Sequence, residues 1–260
     1  MKALSPILLT LTILIAGCGS PLHDLEKGND QQRAKAAELL LKMCKEGKLE
    51  RYDAERIAGV LIPRFRDISE RLRKSRPAPY SASEVGLAYE LVRQGLTSDT
   101  EAVDLLSDLD NTWCQYISRE PSRLEVHGDL VLMPAGTAIC HALTVSAVDG
   151  KPCEQELPES FIGADRTVGL TWGYDKMLNL PSTPAFTLSV EMTTTWYSVP
   201  PDLVKQLPVH PKKPEDIAES KRIVSSPSAK KLCTYTRTAV LKESEEWTGY
   251  FRETREGGGM

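Results

Sequence analysis

The feature that most constrains this chain is a change of hydrophobic period near residue 123. Before it, apolar residues recur every three to four positions. After it, they alternate with polar ones. A helix gathers one face at a period of 3.6 and a strand at 2.0, because successive Cβ atoms rotate around the first and flip across the second. A chain that switches once, instead of repeatedly, reads as an α+β fold: a small N-terminal helical bundle followed by a mostly antiparallel β domain, for which a sandwich is one arrangement.

Four helices are expected in the first part, over residues 31–117. Residues 31–46 place Ala36, Ala37, Leu40, Leu41 and Cys44 on one face, with Gly47 as a stop. Asp53 is positioned to cap a second helix with the face Ile57, Leu61, Phe65, Ile68 and Leu72, and Pro63 inside it predicts a kink or break. Ser81 with Glu84, and Ser98 with Glu101, have the three-residue spacing of capping boxes. The helices they open bury Val85, Ala88, Leu91 and Val92, and then Ala102, Leu105, Leu106 and Leu109, the last reaching toward Trp113.

The β domain is expected over residues 118–254. Leu124, Val126, Leu130 and Leu132 alternate with polar residues, residues 138–148 form a second strand, and Asp149-Gly150 is a turn signal. Val168, Leu170, Trp172 and Tyr174 alternate through a third strand. The clearest strand has Phe186, Leu188, Val190, Met192 and Trp196 on one face and Thr187, Glu191, Thr193, Thr195 and Tyr197 on the other. A proline-rich excursion over about 199–216 follows, with at most two short helical turns, and then strand-like stretches over 232–241 and 247–252. Residues 255–260, rich in glycine, read as a disordered tail.

The first 17 residues are of another kind. Met1-Lys2 precedes an apolar run that is too short to span a membrane, which takes roughly 20 residues. A positive start, a short apolar stretch and small residues at its end define a secretory signal. Leu14-Ile15-Ala16-Gly17-Cys18 resembles the lipobox of bacterial lipoproteins. The resemblance covers the first 18 residues. It implies cleavage before Cys18, acylation of Cys18, and attachment of the mature chain to a membrane. Several acyl chains hold a protein to a bilayer where one does not. Gly19 stands where an Asp would resemble an inner-membrane retention signal, which implies outer-membrane sorting in an organism that has an outer membrane. Residues 18–30 read as a tether.

Removal of residues 1–17 leaves 243 of the 260 residues and takes the formal charge from -4 to -5. That acidic balance argues against nucleic acid as a partner, since phosphate binding needs a basic footprint. Cys44, Cys114, Cys140, Cys153 and Cys233 remain beside Cys18, none in CxxC spacing; export permits disulfides, and the odd count leaves one thiol over. Residues 42–76 carry a net +5 and residues 77–130 a net -7. The two segments could pair within one domain. Alternatively the basic helix, with Arg64, Arg66, Arg71, Arg73, Lys74 and Arg76, could face anionic headgroups.

No nucleophile elbow, zincin motif, P-loop or dinucleotide fingerprint is present, and no cofactor is implied. His127 and His141, with a carboxylate such as Asp129, are the candidate metal ligands, although His141 is in phase with the core and His127 is not. Cys140 and His141 are adjacent, but neighbours on a strand point to opposite faces. Trp172 and Tyr197 are the candidate ligand contacts, Trp172 sharing the phase of the aliphatic residues and Tyr197 lying on the polar side. The leading expectation is a lipid-anchored envelope protein with a non-enzymatic interaction or structural role toward an envelope protein or the cell wall. The alternatives are a glycan- or small-molecule-binding lipoprotein that uses the β domain, and a metal-dependent hydrolase.

Overall fold

The computed structural model describes residues 20–74, 80–117, 122–178, 187–207, 213–242 and 248–253. Residues 1–19, with the expected signal segment and Cys18, and residues 254–260, with the expected glycine-rich tail, lie outside them.

Among the described residues five helices come first: α1 (Pro21–Lys27), α2 (Asp30–Lys45), α3 (Arg51–Arg73), α4 (Ala82–Gln94) and α5 (Asp99–Ser107). Their ends are set by side chains. Asn29 with Gln32, Ser81 with Glu84, and Ser98 with Glu101 each form a complete capping box. Gly95 ends α4 in the left-handed conformation, at φ 72°.

Three expectations are corrected here. Residues 21–27 are not a loose tether: Leu22 and Leu25, one helical turn apart, are buried against the core. Pro63 does not break α3, which runs unbroken for 23 residues. Ala54, Ile57 and Ala58 before the proline and Leu61, Phe65 and Ile68 around and beyond it are all buried, so packing holds both halves. Asp53 lies in the first turn of α3, and the helix starts from Glu50.

Among the described residues nine strands follow: β1 (Asp110–Ile117), β2 (Arg123–Met133), β3 (Thr137–Val148), β4 (Lys151–Ala164), β5 (Val168–Met177), β6 (Thr187–Ser198), β7 (Lys230–Lys242), β8 (Thr248–Tyr250) and β9 (Arg252–Glu253). Every pairing is antiparallel. The strands make two sheets, in the orders β5-β2-β1-β8 and β4-β3-β6-β7-β9. Their inner faces meet, so the β part is a sandwich. The chain changes sheets between β8 and β9 at Phe251, which is fully buried and donates its N–H to the Thr112 carbonyl at 3.1 Å. Between β6 and β7 lie α6 (Pro201–Val204) and α7 (Pro214–Val224).

The strand region begins earlier than expected, since β1 takes residues 110–117 from the helical part. Strand β4 was not foreseen, although the Asp149-Gly150 turn that starts it was; both turn residues have positive φ, at 50° and 73°. The proline-rich excursion is also more ordered than expected. α7 is 11 residues long and, with α6, covers Ala138 and Phe161 on the outer face of the larger sheet. Helices and sheets share one contiguous apolar core that runs from Leu22 to Phe251.

The charge asymmetry is largely resolved inside the molecule. Arg64 of α3 pairs with the buried Glu84 of α4, Arg66 lies 3.8 Å from Asp108, and Arg73 donates to Asn111 at 3.1 Å. Arg71 and Lys74 pair with acids one turn back on α3. Arg76 lies outside the described residues.

Candidate functional site

The site grows out of the alternation of β5. Trp172, Tyr174 and Lys176 are successive inward positions, opposite Gly128, Val126 and Leu124 of β2. Gly128 is what lets the indole lie flat: a Cβ there would sit 2.4 Å from Trp172 ring atoms. The Trp172 ring stacks on His141 of β3, at 4.6 Å and 27°, and on Tyr174, at 5.3 Å and 15°. The Lys176 ammonium continues the row, 4.9 Å from the Tyr174 ring centroid. One line of stacked groups therefore runs from the buried centre of the sandwich to the β4–β5 side.

There it meets a cavity of about 360 Å³. Trp172, Tyr174 and Lys176 form one wall, Ser160 and Phe161 of β4 another, and Ile217 of α7 closes it. The mixture is apolar with a few convergent polar groups, as small-molecule sites usually are. Lys176 is the exceptional member. Only 7 % of its surface is exposed, and its one hydrogen bond runs to the Glu159 carbonyl oxygen at 3.5 Å. An ammonium has three donors. Burial penalises its charged form and lowers its pKa to about 8, against weaker support from Cys140 and Glu159. The Glu159 carboxylate is itself bound by Lys221 of α7, at 2.9 Å. Burial and the nearby Asp110 carboxylate push the Tyr174 hydroxyl well above its ordinary range. The Trp172 indole N–H is buried with no hydrogen-bond partner.

At the inner end of the row sits a second polar group, built differently. Asp110 of β1 and Arg237 of β7 form a fully buried ion pair between the sheets. Arg237 also donates to the Asp110 carbonyl at 2.6 Å and to Thr112 Oγ1 at 3.4 Å. The Trp196 indole donates to the Tyr235 hydroxyl at 3.0 Å, which donates to Asp110 Oδ2 at 3.2 Å. Burial alone would raise the Asp110 carboxyl; Arg237 and the other partners outweigh it and hold the pKa well below the usual carboxylate range. His141 Nε2 lies 3.6 Å from Asp110 Oδ2, and neither ring nitrogen has a hydrogen-bond partner.

The candidate metal ligands are not brought together. His141 is completely buried between the sheets, whereas His127 is on the outer face of the other sheet, stacked on Trp113 at 4.4 Å. Asp129 accepts from Thr171 at 2.9 Å on that outer face. Among the described residues no three His, Cys, Asp or Glu side chains converge as metal ligands. Cys140 does not form a dyad with His141: it faces the opposite side, toward the apolar cluster under α6 and α7. Its thiol is pushed up to about 12 by burial and by Glu159. Cys44, Cys114, Cys140, Cys153 and Cys233 are all free thiols.

Trp172 lines the cavity from a buried position, 4 % exposed, so it is a wall and not an open stacking platform. Tyr197 is half-buried against the cluster under α6 and α7 and does not line that cavity. Lys176 was missed by the sequence reading. A signal existed, because a lysine two residues beyond Tyr174 continues the inward phase of Trp172 and Tyr174.

A larger cavity, of about 620 Å³, lies where α4 meets the β2–β3 turn. Its buried carboxylate, Glu90, is already held by Arg93 at 2.9 Å and Gln94 at 2.8 Å. Of these two cavities, the one between β4 and β5 presents an under-bonded charge among the described residues.

The chain matches no protein-family profile, no curated protein and no solved structure.

Proposed function

We propose that this is a lipid-anchored bacterial envelope protein that binds a small molecule in the β4–β5 cavity of its sandwich. The observation that carries the binding role is the buried Lys176 ammonium with a single long hydrogen bond, in a cavity walled by Trp172, Tyr174 and Phe161. A charge that the chain buries and does not satisfy is a group held ready for something else. The anchor rests on Leu14-Ile15-Ala16-Gly17-Cys18. Acylated Cys18 would hold the protein to a membrane, the outer membrane where the organism has one.

Two measurements test the two halves. Intact mass and membrane partitioning of the exported chain should show added diacylglycerol and membrane association that Cys18→Ala loses. A soluble, unmodified wild type would remove the anchor. Titration with N-phenyl-1-naphthylamine, a neutral apolar probe, should give saturable binding with energy transfer from tryptophan that is reduced in Trp172→Phe. Absence of saturable binding both of this probe and of its anionic analogue 1-anilinonaphthalene-8-sulfonate would remove the cavity reading.

A second reading, docking of an envelope protein or cell-wall partner, is favoured by the outer face of the smaller sheet. Tyr250 pairs opposite Trp113 there, and Met177, on the same face, is 58 % exposed. Crosslinking from this face, weakened by Tyr250→Glu, would support it.

A further inference from the structure

Resting on the cavity reading above, we infer that the ligand is an organic acid: an apolar or aromatic body lying along Trp172 and Tyr174, with one carboxylate or sulfonate-like group seated on Lys176. The row of stacked rings supplies a flat apolar wall that ends at the ammonium, 4.9 Å from the last ring centroid. Seated there, an acid group would supply the acceptors that the ammonium lacks, since its one hydrogen bond is 3.5 Å long. Ser160 and the buried Tyr174 hydroxyl are further donors beside the same space.

The surrounding charges leave room for one anion. Facing Lys176 are Glu159 of β4, Cys140 of β3 and Tyr174 of β5. The Glu159 carboxylate is occupied by Lys221, and Cys140 is a neutral thiol at neutral pH, since its pKa is pushed up to about 12. Asp175 stands at the exposed rim, on the opposite phase of β5. A ligand without charge would leave the ammonium as poorly bonded as before. A cation would meet it directly.

The test compares two nearly isosteric probes on the whole protein: 1-anilinonaphthalene-8-sulfonate, which is anionic, and N-phenyl-1-naphthylamine, which lacks the sulfonate. The anion should bind wild type about tenfold or more tightly than the neutral probe, the scale of a charged hydrogen bond. Lys176→Met should erase that preference and keep binding of the neutral probe, while Lys176→Arg should retain part of the preference. Retained binding of the neutral probe also shows that Lys176→Met is folded. Equal affinities in wild type, or a preference that survives in Lys176→Met, would overturn the acid assignment and leave the cavity reading standing. Failure of both probes to bind wild type would overturn both.

Discussion

Arg237 and Lys176 are both cations buried inside the same sandwich, 2 % and 7 % exposed, and the chain treats them in opposite ways. Arg237 has a carboxylate, a carbonyl and a hydroxyl aimed at it from β1. Lys176 has one distant carbonyl and the face of a ring. Removing a charge from water costs several kcal/mol, and only good geometry with further hydrogen bonds returns it. The first site closes on itself and ties the two sheets together. The second is left open toward a cavity. Burial alone therefore does not distinguish structure from function; the inventory of partners does.

The sharpest way to break this contrast is to remove one partner from each site. Arg237→Met strands the Asp110 carboxylate in the core and should cost about 3–5 kcal/mol in urea unfolding. Pairing it with Asp110→Leu should recover much of that loss. The depressed Asp110 pKa gives the sign of the acid dependence. Its contribution is fully present above the unfolded value of 3.8 and is lost as pH falls from there through the folded value. Next in size is Gly128→Ala. It drives a methyl into the Trp172 indole, since a Cβ there would lie 2.4 Å from ring atoms, and should cost about 1–3 kcal/mol. Trp172 emission should shift with it, reporting displacement of the cavity wall.

Lys176→Met should do the reverse of Arg237→Met, leaving stability at pH 7 unchanged or raised by roughly 1–2 kcal/mol, because a penalised charge is gone. The lysine's folded pKa, about 8, lies below its ordinary 10.5, so the wild type should gain on the variant as pH rises between those values. Parallel urea curves at pH 7 and pH 10 check this; a wild type that loses ground on the way up would reverse the sign. The smallest effect is expected far from both sites. Ser98→Ala removes the α5 cap and should cost about 1 kcal/mol by thermal unfolding while leaving probe affinity unchanged.

How much of this was legible depended on whether the cause was local. The capping boxes at Ser81 and Ser98, the Asp149-Gly150 turn and the inward phase of β6 are each written within a few residues, and all are present in the fold. What escaped has distant causes. Pro63 sits in an unbroken helix because residues from elsewhere in the chain pack both of its sides. Strand β4 carries charges at many exposed positions, which hid its alternation. Asp110 and Arg237 are 127 residues apart, so neither predicts the other. Lys176 and Arg237 were half legible: each breaks the apolar phase of its strand, at a position where a polar residue has to find a partner or a role.

The most direct measurement is an NMR titration of the lysine side chains, with the Lys176 signal assigned by its absence in Lys176→Met. A Lys176 midpoint near 8, moving upward when 1-anilinonaphthalene-8-sulfonate is added, is expected of a buried ammonium that awaits an acid. A midpoint near 10.5, unmoved by the anion, would mean that the ammonium is already solvated or paired, and would contradict the division between a closed site and an open one.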